Sequence, residues 1–293
     1  MFELRFENED GDEITLTGVE DRYQVIHIEG LNPPSATVYR SEVAGMDGTK
    51  YMSAKLEERN VVVTVRINGD VEANRINLYR YFKTKHYCKM YYTNKTREVY
   101  AEGYVENIEC DLFSLSEEMQ ISIVCPNPYF QAINEIVSDI SKVIANFAFP
   151  FTIGSSGVLN PTITDDAIEF STYKEDSMVV VTNEGEDGTG LIIRLTFSGP
   201  VTNPTIYNAD TREYFALKTT FEDGDEVTIN TNSGEKRVTL LRDGQSINLI
   251  NKVARDSVWL SLERGDTHFT YTADDGILSM QVLFTHRTRY QGV

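Results

Sequence analysis

Four histidines, His27, His86, His268 and His286, stand far apart in a chain of 293 residues and form no HExxH or other ligand pair. A metal centre or an acid–base pair needs a second group at fixed spacing, and the sequence supplies none beside them. Asp165-Asp166 and Asp274-Asp275 are of the residue type that glycosidases use. Neighbours on a strand point to opposite faces, so each pair reads as solvated surface. The stretch Glu9-Asp10-Gly11-Asp12-Glu13-Ile14-Thr15 is echoed by Glu222-Asp223-Gly224-Asp225-Glu226-Val227-Thr228. Clustered carboxylates suit calcium, yet the twelve-residue loop with its sixth-position glycine and closing glutamate is absent from both. Both read instead as Asp-Gly turns that lead into a strand.

Gly185-Glu186-Asp187-Gly188-Thr189-Gly190 is rich in glycine but acidic, and would repel a phosphate; no P-loop, GxGxxG or GxSxG follows a strand. Cys88, Cys110 and Cys125 are odd in number and lack CxxC spacing, which fits buried thiols in a reducing compartment rather than a disulfide scaffold or zinc site. Trp259, the only tryptophan, lies in the apolar run Val258-Trp259-Leu260 and reads as core rather than as a sugar platform. The expectation is a protein without catalytic, metal or cofactor-binding residues, and not an enzyme.

The elements around these residues are mostly strands. Ile14–Thr17, Arg22–Glu29, Val61–Ile67, Val105–Cys110 and Met119–Val124 carry β-branched residues or a period of two, with breaks at Asn32-Pro33-Pro34 and Met46–Thr49. Residues 71–86 read as a short helix, and Tyr87 to Tyr104 as a hairpin turning at Thr93-Asn94-Lys95. Cys125-Pro126-Asn127-Pro128 must end the sheet, because proline cannot donate to a ladder. Beyond it Ile133, Ile136-Val137, Ile140, Val143-Ile144 and Phe147 recur at helical spacing up to Pro150. The fold expected is mainly β: a β domain over 1–128 with a short helix, a linking amphipathic helix over 129–150, and an antiparallel β-sandwich over 151–293 opening at Gly154-Ser155-Ser156-Gly157.

Net charge is −18, with 41% hydrophobic and 25% charged residues. Such a surface disfavours tight binding of nucleic acid and anionic membranes, and no apolar stretch is long enough to insert in a bilayer. No secretion signal opens the sequence, so a cytosolic site of synthesis is expected. One basic island interrupts the acidity: Arg75, Arg80, Lys83, Lys85, Lys89, Lys95 and Arg97, interleaved with tyrosines. Aromatics between cations stack on single-stranded nucleic acid, but the same composition suits an intersubunit patch on an otherwise acidic protein. Tyr87, Tyr91, Tyr92, Arg97 and Tyr100 are the candidate oligomer-interface residues.

Leu78-Tyr79-Arg80-Tyr81-Phe82, Gly103-Tyr104-Val105-Glu106-Asn107-Ile108 and Cys125-Pro126-Asn127-Pro128-Tyr129-Phe130 are followed by Asn203-Pro204, Gly224-Asp225, Asn232-Ser233-Gly234-Glu235-Lys236 and Tyr290-Gln291-Gly292-Val293. In this order the pieces resemble the distal tail proteins of siphophages and of phage-tail-like particles (tailocins), over most of the chain. The resemblance implies a ring-forming N-terminal domain, usually in six copies, that joins the tail tube to the baseplate hub. It also implies a galectin-like C-terminal β-sandwich carrying or contacting receptor-binding proteins. The protein would then be a structural component of the virion tail tip, assembled in the bacterial host cytoplasm, with itself, the tail-tube protein and the tail-tip hub protein as partners. The alternative is a carbohydrate-binding or receptor-binding baseplate protein. A DNA channel through such a ring would be expected to be walled by carboxylates from residues 1–125.

Overall fold

The computed structural model describes residues 2–17, 22–45, 47–111, 117–139, 141–144, 172–175 and 178–293, of which 141–144 and 172–175 are described by their backbone alone. The chain forms two units that interleave in sequence. The first takes residues 1–135, 184–187 and 287–293; the second takes 136–183 and 188–286.

Among the described residues, unit 1 contains β1 (Glu3–Asn8), β2 (Glu13–Thr17), β3 (Tyr23–Glu29), β4 (Ala36–Glu42), β5 (Thr49–Leu56), β6 (Arg59–Ile67), α1 (Val71–Tyr81), β7 (Tyr87–Thr93), β8 (Glu98–Cys110), β9 (Glu118–Cys125) and β10 (Phe130–Ala132). Seven strands run in the order β8-β7-β1-β2-β3-β6-β9, and β9 pairs back onto β8 to close a barrel. Period-two patterning fills it. Val61, Val63, Val65 and Ile67 of β6 face Met119, Ile121 and Ile123 of β9 inside, while Asn60, Thr64 and Arg66 alternate outward. Each such buried side chain is worth about 1.5–3 kcal/mol.

Closure falls to β8, whose first half pairs with β7 and second half with β9. A bulge between Val105 and Asn107 bends the strand at that switch. Gly103 makes the seam possible, since a Cβ there would lie 2.5 Å from the Val124 carbonyl oxygen. Helix α1 is capped by Asp70, whose carboxylate accepts the Ala73 N–H at 3.2 Å. It sends Leu78 inward, and Phe82, just past its end, meets Phe6 edge-on at 5.0 Å. The helix ends at Tyr81 rather than at residue 86, and Lys85 takes a left-handed conformation with φ of +73°. Strands β4 and β5 pair only with each other, as an arm.

Unit 2 is an antiparallel two-sheet sandwich. One sheet runs in the order Ile136–Asp139, Met280–His286, Ile192–Phe197, Glu226–Asn230, Arg237–Arg242, Gln245–Asn248; the other runs Val179–Asn183, Gly265–Thr272, Thr205–Asn208, Tyr214–Ala216. Their inner faces share one core, in which Phe269 of the second sheet stacks on Phe284 of the first at 4.8 Å. The echoed turns are both turns: Gly11 and Gly224 each have φ of +82°.

The helix expected over 129–150 is corrected by the structure. Phe130–Ala132, Ile136–Asp139 and Ser141–Ile144 are strands, while Ile140, Phe147 and Pro150 lie outside the described residues, as do Gly154–Gly157 and Asp165-Asp166. The apolar stripe is made largely of Ile and Val, which fit a pleated surface as readily as a helix face. What decides is the partner: Met280–His286 offers a free edge, and Ile136 pairs with His286, Val137 with Thr285 and Ser138 with Phe284. Nor are the two units continuous halves divided between 128 and 151, because residues 184–187 and 287–293 return to unit 1.

Candidate assembly surface

The β7–β8 hairpin places its residues by alternation. Tyr87 lies opposite Tyr104, Lys89 opposite Glu102 and Tyr91 opposite Tyr100, all on the outer wall of the barrel. Arg5 of β1 lies over the Tyr91 ring at 3.9 Å, and the Lys89 ammonium sits 4.0 Å from the Tyr100 ring centroid and 3.4 Å from Glu102. Tyr91 donates its hydroxyl to Glu7 at 2.8 Å. Burial, aided by that carboxylate, pushes the phenol up to about 12. Burial likewise raises the Tyr87 phenol.

Of the five candidate interface residues, the structure brings Tyr87, Tyr91 and Tyr100 onto one face. Tyr100 is only 7% exposed and donates to Gln131 of β10 at 2.9 Å. Tyr92 alternates inward, stacks with Phe2 at 6.2 Å and packs on the core. Arg97 sits at the turn and is engaged within its own unit: it donates to the Gly292 carbonyl and to Glu186 (2.7 Å), with its guanidinium over the Tyr290 ring at 4.3 Å. Nearby, Lys83 is paired with Asp10 at 2.8 Å, and the His86 ring meets Glu9 at 2.5 Å.

The feature that the sequence reading passed over is the arm. Val38, Tyr39, Tyr51 and Met52 are 50%, 53%, 63% and 61% exposed, though large and apolar. Paired Ala36 with Leu56 and Val38 with Ala54, the ribbon gathers these four apolar residues on one face, yet all but Leu56 are exposed. The exposed Gly45 and Gly48, both with positive φ, mark its tip. The only sequence signal was two strand-like runs flanking a glycine turn.

No acid–base or nucleophile geometry accompanies these surfaces. An open groove of about 530 Å³ on the barrel wall is lined by Val62, Glu106, Asn107, Glu109, Gln120 and Ser122. There Ser122 donates to Asn60 or Glu106 at 3.0 and 3.1 Å, with no histidine among the lining residues. Among the described residues no three His, Cys, Asp or Glu converge as a metal site. Trp259 packs on Phe215 at 5.1 Å at the margin of the core of unit 2.

Two domain families match the chain. Residues 9–125 match the phage tail protein RIFT-related domain, and residues 184–290 match the siphovirus-type tail component, C-terminal domain. No curated protein sequence matches. Among solved structures, the Dit protein of phage SPP1, described as a paradigm of the hub adsorption apparatus in phages infecting Gram-positive bacteria, superposes with a TM-score of 0.67 at 15% identity, over 98% of this chain and 99% of that one. A chain of the phage P2 baseplate in its activated conformation with Ca superposes with a TM-score of 0.50 at 12% identity, over 98% of each chain. The same baseplate with Sr gives 0.50 at 11% identity. With a tail domain matched in each half and a Dit fold along nearly its whole length, this chain belongs to the siphovirus-type tail components, structural proteins of the distal tail and baseplate.

Proposed function

We propose that the chain assembles into a closed homohexameric ring, built by unit 1, that joins the tail tube to the tail-tip hub and presents unit 2 toward receptor-binding proteins. The observation that carries this reading is the arm. Four large apolar side chains on an isolated two-stranded ribbon cost solvation in a monomer, and a free ribbon of two strands is marginally stable. A neighbouring copy that covers the arm removes both costs, and a heterologous contact repeated about a closing rotation gives a ring. The outer aromatic wall of Tyr87 and Tyr91 supplies further contact area.

The role is structural rather than enzymatic, and the particle is a phage tail or a tailocin. Trp259, packed on Phe215 rather than standing free, gives the carbohydrate-binding alternative no platform. Light scattering and particle imaging of the purified protein test the ring: a six-fold closed particle is expected, and Tyr51→Glu with Met52→Asp should leave folded monomers. A strict monomer at high concentration, with and without the tail-tube partner, would overturn the reading.

A further inference from the structure

The roots of the arm and the segment 287–293 meet at one residue, Arg59. It opens β6 just after the arm returns to the barrel and is 2% exposed. Its Nε donates to the Pro128 carbonyl at 2.8 Å, Nη1 to the carbonyls of Gly30 and of Asn32 (2.9 Å), and Nη2 to the carbonyl of Gln291 at 2.6 Å. The guanidinium lies over the Phe130 ring, 4.1 Å from its centroid. Gly30 and Asn32 precede β4, so Arg59 ties the entry of the arm to its exit. Segment 287–293 completes the tie. The Val293 N–H donates to the Leu31 carbonyl at 3.1 Å, and a Cβ on Gly292 would lie 3.0 Å from Cδ of Pro33.

The same segment is anchored along its length. Arg289–Tyr290 adds a strand to β10, pairing Phe130 with Tyr290 and Gln131 with Arg289. Glu186 accepts the Gln291 N–H at 2.9 Å and bonds Arg97, which in turn donates to the Gly292 carbonyl.

We propose that residues 287–293 are a latch that fixes the direction of the arm and so gates ring assembly. Without the latch Arg59 keeps a buried charge with a freed donor, the Leu31–Pro34 root loses two contacts, and β10 loses one of its two ladders. Buried polar groups left unpaired are costly, and an edge strand of three residues does not hold alone. At roughly 5–20 residues per second, the first 135 residues of unit 1 precede residue 293 by about 10–30 s. During that interval the arm of a nascent chain lacks its anchor, which keeps neighbouring unfinished copies from closing a ring.

This inference rests on the ring reading, and the test separates the two. The protein, a variant lacking residues 287–293, and Gly292→Val are compared by sedimentation and by hydrogen exchange at Glu57, whose N–H donates to the Ser35 carbonyl at 2.9 Å at the arm root. Both variants are expected to lose the ring, to exchange at the arm root about tenfold faster or more, and to keep the thermal transition of unit 2. A peptide of residues 287–293 added to the deletion variant should restore protection and assembly. Variants that assemble with the native concentration dependence, or that keep native protection at the arm root, overturn the latch. If the native protein forms no ring, the ring reading fails by itself, and the exchange result alone decides whether the latch exists. If the deletion variant does not fold, Gly292→Val decides.

Discussion

Arg59 donates to the carbonyl oxygen of Gln291, 232 positions further along the chain, at 2.6 Å. No carboxylate is among its hydrogen-bond partners; the charge is held by backbone carbonyls and by the face of Phe130. Burial lowers its pKa from the usual arginine value, but a guanidinium stays charged in proteins. A planar fork can serve four carbonyls at once, whereas an ammonium on a flexible stem cannot. Arg59→Lys should therefore destabilise unit 1 by about 3 kcal/mol, read as a lower denaturant midpoint for that unit. Gly30→Ala should be at least as harmful, because Gly30 has φ of +84° and a Cβ there would lie 2.1 Å from the Asn60 carbonyl oxygen. Native-like midpoints for both would contradict the clamp.

The three thiols differ in access. Cys88 and Cys125 are buried, and desolvation pushes their pKa values up to about 12 and about 11. Cys110 is only half-buried, although burial raises it too. The thiolate is the reactive form, so the native protein at pH 8 should give one slow-reacting thiol, Cys110, and three in denaturant. Labelling followed by peptide mapping checks this, and rapid modification of Cys88 would show that the barrel opens.

His286 closes its strand and is only 3% exposed. Burial lowers its pKa below 6.5. The unfolded chain therefore takes up a proton at higher pH than the folded one, and the stability of unit 2 should fall as pH drops below about 6.5, until the folded-state pKa is passed. His286→Leu should abolish that slope, so that its midpoint relative to the native protein rises between about pH 7 and pH 5. Parallel profiles for the two proteins would show that another group is responsible.

The barrel walls were legible because one face of each strand is buried, which writes a period of two into Val61–Ile67 and Met119–Val124. The turn at Asn94 and the start of the helix at Val71 were legible for local reasons, turn chemistry and a helical stripe, while the helix end at Tyr81 came five residues earlier than the stripe suggested. Ile136–Asp139 misled because its partner strand, Met280–His286, lies far along the chain, and periodicity within one segment carries no record of that. The arm was missed for the opposite reason: its strands are exposed on both faces, so they lack the β-branched runs that mark the barrel strands. Arg97 looked like a free cation in a basic hairpin because Glu186 and Gly292 are local to it only in the fold. Tyr92 was grouped with Tyr91 by sequence proximity, although neighbours on a strand face opposite ways.

The basic island also bears on nucleic acid. In the fold Lys83, Lys89 and Arg97 are each within ion-pair distance of a carboxylate, Asp10, Glu102 and Glu186 in turn. A cation already paired must give up its own carboxylate to displace the counterions condensed on DNA, and each copy adds a net charge of −18. The assembled protein should therefore retain no double-stranded DNA even at about 50 mM salt. Asp10→Lys and Glu102→Lys combined free Lys83 and Lys89 and add two more cations. That variant should bind DNA with an affinity that falls steeply with salt, by about 0.9 logarithmic units per decade for every phosphate neutralised. Tight low-salt binding by the native protein would instead mean that Lys83 and Lys89 stand free in solution, and that Asp10 and Glu102 do not hold them.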